Sequence, residues 1–202
     1  MTQSVLLLGG YGQIGNAIYE KIKRSHDVYR TNSQNFKLGG TDDYSKLLDL
    51  ISEKNPRLII NCIGKFSDNN GDLQEIFNVN VRPSWHIIKI FSEFLPGIEI
   101  DYSVIGSSSY SQGKKDYYLY SSSKAALVNL IHGASFSVEQ RFNRLNVINL
   151  PPVMSKMSEV ANHGSSGRKG ISLSEAADFV LGASLYRFIP GVIDYCFEKE
   201  LK

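Results

Sequence analysis

The chain has 202 residues, of which 42% are hydrophobic and 21% charged, and its formal net charge is only +2. This size and composition predict one soluble globular domain, and the small charge argues against binding to nucleic acid or to an acidic membrane surface. There is no apolar run of about 18 residues that could span a bilayer, and no basic start or cleavage site at the N-terminus. Cys62 and Cys196 lie in apolar segments and are expected to be free thiols, and the four histidines lack the spacing of metal ligands. We therefore expect a cytoplasmic protein without a metal site.

The first predicted strand leads directly into a glycine-rich turn. Residues 4–8 form a short apolar run, typical of a parallel strand buried on both faces, and a helical pattern follows from Ile14. The glycines between them allow a tight turn, close approach of the backbone to a pyrophosphate and tight helix packing, and the helix N-terminus adds amides for phosphate. The alternative is a glycine-rich turn without a ligand. The predicted cofactor-binding residues of this segment are Gly9, Tyr11, Gly12, Gln13, Ile14 and Gly15.

The second predicted strand, residues 26–30, bears on the choice of cofactor. Folds that prefer NAD place an acidic residue near this point to bind the ribose 2′-hydroxyl. Here no carboxylate occurs between Asp27 and Asp42, and the strand instead ends in Arg30, followed by Asn32 and Ser33. These groups suit a 2′-phosphate, so the sequence favours NADP(H), with NAD(H) as the alternative. An ordinary solvated charge at the strand end is an equally simple interpretation of Arg30.

The middle of the chain continues the alternation of helices and strands. The pattern predicts a helix over residues 41–53, a strand over 57–63 and a long helix over 73–95 that Pro83 kinks. Asn78 and Asn80 lie inside this helix although asparagine is a poor helix former, which indicates that one of them has a hydrogen-bonding role. The strand ends where a cofactor would cross the edge of the sheet. The predicted cofactor contacts at this strand end are Asn61, Cys62, Ile63 and Gly64.

A serine, a tyrosine and a lysine follow the next predicted strand, residues 98–106. Tyr120 and Lys124 are four residues apart on a predicted helix over 117–142 and therefore share one face, and Ser107 stands at the end of the strand. A positive charge beside a phenol lowers its pKa, so this group could donate a proton to a carbonyl. The Tyr-x-x-x-Lys spacing occurs four times in the chain, but only at Tyr120 does an upstream strand-end serine accompany it. The alternative is an ordinary packed helix face.

The remaining segments complete an α/β pattern. We expect a strand over residues 145–150, a mobile substrate loop over about 153–170, a helix over 173–185 and a final strand over 191–197. Strands that alternate with helices throughout predict a Rossmann-type doubly wound parallel sheet in a single domain, residues 1–202. In such sheets, ligands bind at the carboxyl ends of the strands, where all the residues singled out above would lie.

These motifs, taken together and in this order, resemble those of the short-chain dehydrogenase/reductase superfamily over nearly the whole chain. The resemblance implies that Tyr120 is the general acid, that Ser107 polarises the carbonyl, that Lys124 binds the nicotinamide ribose and that Asn80 holds a proton-relay water. It also implies cofactor contacts at Pro151 and Val153, although Pro152 replaces the usual glycine. The glycine spacing is that of the extended and atypical branches, which include epimerases and dehydratases.

The segment around Tyr120 is also similar to bacterial reductases that make polyol phosphates such as ribitol 5-phosphate. That similarity implies a small phosphorylated sugar as substrate, with Lys114, Lys115 and Arg168 available for its phosphate, or else merely solvated. We expect an NADP(H)-dependent oxidoreductase that acts on this small-molecule carbonyl or alcohol. The alternatives are a nucleotide-sugar epimerase or dehydratase, for which few C-terminal residues are available, and a non-catalytic NADP-binding sensor or scaffold. The apolar helices around residues 85–94 and 127–142 predict a homodimer or homotetramer.

Overall fold

A computed structural model describes residues 3–33, 43–95, 100–137, 142–161, 170–185 and 191–195. The first half of the chain contains β1 (Ser4–Leu8), α1 (Gln13–Ile22), β2 (Asp27–Arg30), α2 (Asp43–Lys54), β3 (Leu58–Asn61), α3 (Leu73–Asn80) and α4 (Arg82–Glu93). The second half contains β4 (Ile100–Ile105), a 3₁₀-helix (Ser108–Ser111), α5 (Tyr118–Ser137), β5 (Phe142–Asn149), α6 (Lys156–Ala161), α7 (Leu173–Leu185) and β6 (Gly191–Asp194).

The described strands form one six-stranded sheet in the order β2-β1-β3-β4-β5-β6, and every pairing in it is parallel. The strand order reverses beside β1, so the carboxyl ends of β1 and β3 flank the crevice in which ligands of doubly wound sheets bind. The predicted fold class is therefore confirmed. Within the described residues, no helix is both long and apolar enough to cross a membrane.

Side chains that alternate along each strand divide the hydrophobic core into two layers. Leu6 and Leu8 of β1 face a layer covered by α2, α4 and α5, whereas Val5 and Leu7 face a layer covered by α1 and α7. All four side chains are fully buried. Burying one such side chain contributes about 1.5–3 kcal/mol, so both faces of the sheet stabilise the scaffold that carries the strand ends.

The helix predicted over residues 73–95 is two helices. α3 ends at Asn80, Val81 separates it from α4, and Pro83 lies in the first turn of α4. Proline is tolerated there because the first amides of a helix have no intrahelical acceptor. Pro83 therefore stands at the start of a new helix and does not kink a continuous one.

Two further boundaries differ from those predicted. Phe142, predicted to end the tyrosine-bearing helix, is the first residue of β5, where it pairs with Ile100 and is 7% exposed. The segment 153–170, predicted as a loop, contains α6, and a β-bridge joins Val153 to Ile171. Residues 162–169 of that segment, Cys196 and the end of the predicted final strand lie outside the described residues. Cys62 is a free, half-buried thiol.

Candidate active site

A cavity of about 340 Å³ opens at the carboxyl ends of the strands. It lies between the first turn of α1, the segments that follow β3, β4 and β5, and one face of α5. Ser107, Tyr120 and Lys124 all line it, so the structure brings the three predicted catalytic side chains together. The other lining residues are Ile14, Cys62, Ile63, Gly64, Phe66, Ile105, Gly106, Ser108, Ser109, Lys114, Tyr117, Leu150, Pro151, Pro152, Val153, Ser155, Met157 and Ser158.

Lys124 is held at the inner end of the cavity. The side chain is only 3% exposed, and its Nζ donates a hydrogen bond to the carbonyl oxygen of Ile105, the last residue of β4, at 2.9 Å. The same Nζ lies 5.8 Å from the centroid of the Tyr120 ring, one turn earlier on α5. The β4 carbonyl therefore fixes the ammonium group behind the tyrosine.

The electrostatics of this pair differ from the prediction. Burial raises the pKa of Tyr120 to about 12, and a hydrogen bond with the Ser107 side chain lowers it only in part. Burial lowers the pKa of Lys124 to about 8. The prediction of a lowered pKa for Tyr120 is thus wrong for this structure, because loss of solvent has the larger effect. Tyr120 is protonated at neutral pH and can serve as a proton donor.

Cys62 is the neutral neighbour of Lys124. Burial raises the pKa of its thiol to about 12, and the charge of Lys124 lowers it only in part. The thiol is therefore protonated at neutral pH, and a thiol in that state is a poor nucleophile. At this cavity wall, Cys62 acts as a small apolar side chain.

Asn80 connects the segment after β3 to α5. Its Oδ1 accepts the amide of Lys65 at 2.8 Å, and its Nδ2 donates to the Lys65 carbonyl at 3.0 Å and to the Ser123 hydroxyl at 2.9 Å. Gly64, just before Lys65, is close to both Asn80 and the ammonium group, since an added Cβ there would lie 3.7 Å from Lys124 Nζ and 3.8 Å from Asn80 Oδ1. Asn80 therefore fixes the cavity wall beside Lys124, and its role in holding a water stays a prediction.

The glycine-rich turn has the shape that a pyrophosphate requires. Gly9 has a φ of +69°, which side chains rarely adopt, and Gly12 precedes α1 without any side-chain cap on the helix. A Cβ at Gly15 would lie 2.5 Å from the Gly9 carbonyl oxygen and 2.7 Å from the Gly10 Cα. Only glycine allows this close packing of the turn on the helix. The uncapped N-terminus of α1 thus fits a dinucleotide phosphate.

Arg30 is enclosed by aromatic rings beside this turn. Its guanidinium carbon lies 4.0 Å from the centroid of the Tyr11 ring and 3.9 Å from that of the Tyr19 ring. Its Nε donates to the Gly10 carbonyl at 3.0 Å, and one Nη donates to Asn16 Oδ1 at 2.8 Å. Two aromatic rings and the hydrogen bonds to the turn therefore hold the guanidinium in place. The predicted contact with a 2′-phosphate remains a prediction.

Other predicted cofactor residues fall into two groups. Ile14, Cys62, Ile63, Gly64, Pro151 and Val153 line the cavity, whereas Gly9, Tyr11, Gly12, Gln13, Gly15, Asn32 and Ser33 lie outside its lining. Gln13 is instead joined to α6, because its Oε1 accepts the amide of Lys156 at 2.9 Å. Thr31, which follows Arg30, accepts the Gly9 amide at 3.3 Å and so joins the end of β2 to the turn.

The side chain of Asn61 has a structural role, and its predicted contact with a cofactor stays a prediction. It is 2% exposed, its Nδ2 donates to the Tyr102 hydroxyl at 3.0 Å, and its Oδ1 accepts the amide of Ile63 at 3.0 Å. These bonds turn the side chain into the sheet and not into the cavity. Asn61 thus fixes the backbone that Cys62 and Ile63 present to the ligand.

The cavity contains an aromatic wall that no sequence pattern predicted. Phe66 lies 5.3 Å from Tyr120 and 5.4 Å from Tyr117 between ring centroids. Met157 of α6 also lines the cavity. Lys114 lines it as well and is half-buried, whereas Lys115 is exposed outside it and Arg168 lies outside the described residues. Among the described side chains, the cavity therefore combines aromatic surface with two lysines, Lys114 and Lys124.

Comparisons with known proteins agree with this arrangement. The model of the NAD dependent epimerase/dehydratase family matches residues 5–133. A short chain dehydrogenase family protein from Francisella tularensis has a similar structure, with a TM-score of 0.77 at 17% identity, over 96% of this chain and 97% of that one. No curated protein matches the sequence significantly.

Two further solved structures carry cofactors. A short chain dehydrogenase from Burkholderia cenocepacia in complex with NADP has a TM-score of 0.79 at 18% identity, over 98% of this chain and 90% of that one. The 3-alpha-hydroxysteroid dehydrogenase from Pseudomonas sp. complexed with NADH has a TM-score of 0.76 at 15% identity, over 95% of both chains. At these identities, the likeness shows a common fold.

Proposed function

Because the chain belongs to the NAD dependent epimerase/dehydratase family and has the fold of short-chain dehydrogenases, we propose that it is an oxidoreductase that interconverts a carbonyl and an alcohol with NADP(H). One observation carries the proposal: Ser107, Tyr120 and Lys124, which come from two separate segments, line a single cavity beside the glycine-rich turn. Bound nicotinamide would supply or accept the hydride.

The protein's own groups would handle the proton and the developing charge. The Tyr120 phenol, protonated at neutral pH, donates its proton to the carbonyl oxygen as charge develops there. The Ser107 hydroxyl donates a hydrogen bond to the same oxygen. Lys124, anchored to the Ile105 carbonyl, keeps a cation behind the phenol, and this cation favours the phenolate that proton donation leaves.

We propose NADP(H) in preference to NAD(H). No carboxylate follows β2 among the described residues 31–33, and Arg30 stands at the end of this strand with its guanidinium held in place by Tyr11 and Tyr19. An NADP complex of the Burkholderia cenocepacia protein and an NADH complex of the Pseudomonas protein show that this fold accepts both cofactors. Fluorescence titration with NADPH and NADH decides between them, with tighter NADPH binding expected.

A small phosphorylated sugar is the substrate class we propose. Lys114 is half-buried in the cavity lining and offers a cation for a phosphate, and Phe66 and Tyr117 offer aromatic faces for the C–H groups of a sugar. The test follows NADPH oxidation with a panel of ketose phosphates that includes ribulose 5-phosphate. Turnover that requires the phosphate supports this class, and turnover of unphosphorylated ketones alone contradicts it.

Substitution of the proposed acid tests the mechanism. Tyr120→Phe removes only the hydroxyl, so turnover should fall by at least a hundredfold while NADPH binding is retained. Tyr118→Phe is the matched control, since the Tyr118 side chain is 51% exposed two residues earlier on the same helix. Full activity of Tyr120→Phe would contradict the assignment.

Epimerisation or dehydration of a nucleotide sugar is the second function we consider. The family match favours it, as does the spacing of Gly9, Gly12 and Gly15. Such an enzyme returns the hydride to its product, so a nucleotide-sugar panel would be converted without net oxidation of NADPH. Cofactor binding with no turnover in either panel would indicate a non-catalytic sensor or scaffold.

We also propose that the protein forms a homodimer or homotetramer through α4 and α5. Trp85 of α4 is 46% exposed, Phe94, which directly follows α4, is 52% exposed and Phe136 of α5 is 67% exposed, so this part of the protein presents aromatic surface to solvent. Light scattering coupled to size-exclusion chromatography should give a multiple of 22.6 kDa. Trp85→Glu should shift that mass toward the monomer.

A further inference from the structure

The backbone on which Ser107 stands depends on a side chain from the neighbouring strand. Asn149, the last residue of β5, is 2% exposed, and its Oδ1 accepts the amide of Ser107 at 3.1 Å. The same oxygen occupies the space that a Cβ at position 106 would fill, so the strand must carry Gly106 there. Asn149 thus contacts the residue before the serine and the amide of the serine itself.

The edge strand β6 fixes the other end of this asparagine. Asn149 pairs in register with Asp194, and its Nδ2 donates to Asp194 Oδ1 at 3.0 Å. The second carboxylate oxygen, Oδ2, accepts the Tyr110 hydroxyl at 3.1 Å. Tyr110 belongs to the 3₁₀-helix that begins immediately after Ser107. The hydrogen bonds therefore run from Ser107 through Asn149, Asp194 and Tyr110 back to the segment that carries Ser107.

The contacts of the Ser107 hydroxyl with Ser109 determine to which groups it can donate its proton. Ser107 Oγ accepts the amide of Ser109 at 3.2 Å and lies 2.9 Å from Ser109 Oγ. A serine oxygen that accepts the Ser109 amide keeps its own proton, which it can donate to Ser109 Oγ, to Tyr120 or to a substrate oxygen. The direction of the Ser107 hydroxyl depends on the backbone of Ser107, whose amide is bonded to Asn149.

We propose that Asn149 is a positioning residue for Ser107, and that Asp194 of the edge strand sets the orientation of its amide. This inference rests on the proposed function, in which Ser107 stabilises the developing oxyanion. The carboxylate accepts from Nδ2 and thereby keeps Oδ1 directed at the Ser107 amide. The amide of Asn149 and the carboxylate of Asp194 could be exchanged between the two positions without loss of these hydrogen bonds. The test uses this exchange.

The test compares three variants in NADPH oxidation with ribulose 5-phosphate. Asn149→Ala should lower kcat by at least tenfold with little change in NADPH affinity, because the Ser107 amide loses its partner. Asn149→Asp should also lower kcat, since two carboxylates then face each other. Adding Asp194→Asn to Asn149→Asp gives the exchanged pair, in which the carboxylate at position 149 accepts from the Ser107 amide and from the side-chain amide at position 194. The exchanged pair should return kcat to within about threefold of wild type. Asp178→Asn, on the surface of α7, is the control.

A Ser107→Ala protein, which lacks the serine hydroxyl, distinguishes an action of Asn149 through Ser107 from a purely structural role of Asn149. If Asn149 acts through Ser107, Asn149→Ala should lower kcat much less in a Ser107→Ala protein than in the wild type. Equal losses in the two backgrounds, or failure of the exchanged pair to recover kcat, would overturn the proposal.

Hydrogen exchange keeps the test independent of turnover. The Ser107 amide, followed by NMR, should exchange at least tenfold faster in Asn149→Ala and return toward the wild-type rate in the exchanged pair. Unchanged exchange in Asn149→Ala would overturn the inference even if the enzyme is active. Wild-type protein without turnover on the ketose phosphates would instead count against the proposed function, and the exchange rates would still decide the role of Asn149.

Discussion

Replacement of Lys124 by methionine should stabilise the protein while it abolishes turnover. Lys124 is 3% exposed, and its Nζ is bonded to the carbonyl oxygen of Ile105. Methionine is of similar length and carries no charge, so Lys124→Met removes the buried ammonium and leaves the apolar part of the side chain in place. The variant separates the energetic cost of this cation from its use in the reaction.

The magnitude follows from the pKa of the lysine. A pKa that falls from 10.5 to about 8 on folding corresponds to a destabilisation of about 3 kcal/mol while the group is charged. The unfolded chain binds more protons at this site than the folded one between pH 8 and 10.5. The contribution of Lys124 to the free energy of unfolding should therefore be lowest below pH 8 and should rise with pH between pH 8 and 10.5.

Urea unfolding of wild type and Lys124→Met at pH 7 and pH 9 measures the effect. Loss of the hydrogen bond to Ile105 changes the free energy of unfolding of the variant by an amount that does not depend on pH. The informative quantity is therefore how the difference in free energy of unfolding between the two proteins changes with pH. The advantage of the variant should shrink by roughly 1–1.5 kcal/mol from pH 7 to pH 9. Lys23→Met, at the exposed residue that directly follows α1, is the control. An advantage that is constant with pH would refute the assignment of a buried, charged Lys124.

Three further changes test other parts of the structure. Gly15→Ala places a Cβ 2.5 Å from the Gly9 carbonyl oxygen, so it should displace the turn and weaken NADPH binding at least tenfold in a fluorescence titration; unchanged affinity would contradict the role of the turn. Asp101→Asn breaks the bidentate pair with Arg144 between β4 and β5, whose side chains are 10% and 16% exposed, and should cost about 2–4 kcal/mol in urea unfolding at pH 7. A loss below about 0.5 kcal/mol would show that solvent replaces the pair. Phe66→Ala opens the aromatic wall beside Tyr120 and should raise KM more than it lowers kcat in steady-state kinetics, with an effect on kcat alone as the contrary result.

Local sequence determined most elements and the main chemistry of the site. Short apolar runs predicted the strands because both faces of a parallel sheet are buried, and the glycines of the first turn indicated its shape because no other residue fits there. Ser107, Tyr120 and Lys124 could be selected because parallel strands place their carboxyl ends at one edge. All three line one cavity, while their catalytic roles remain a proposal.

The residues that hold the site could not be found in this way. The side chain of Asn61 donates a hydrogen bond to Tyr102, 41 residues away. Asn149 holds the Ser107 amide across a separation of 42 residues. A polar residue at a strand end has the same local signature whether it faces a ligand or a neighbouring strand, and only strand order and register distinguish the two.

The tertiary structure also decided the pKa of Tyr120 and the boundaries of two helices. Spacing alone places a lysine beside Tyr120 and suggests a lowered pKa, whereas burial in the folded protein raises it to about 12. Phe142 belongs to β5 because it pairs with Ile100 of β4, a contact between distant segments. Sequence patterns record the side-chain chemistry available at each position, but desolvation and strand pairing depend on which distant segments meet, and those are properties of the folded chain alone.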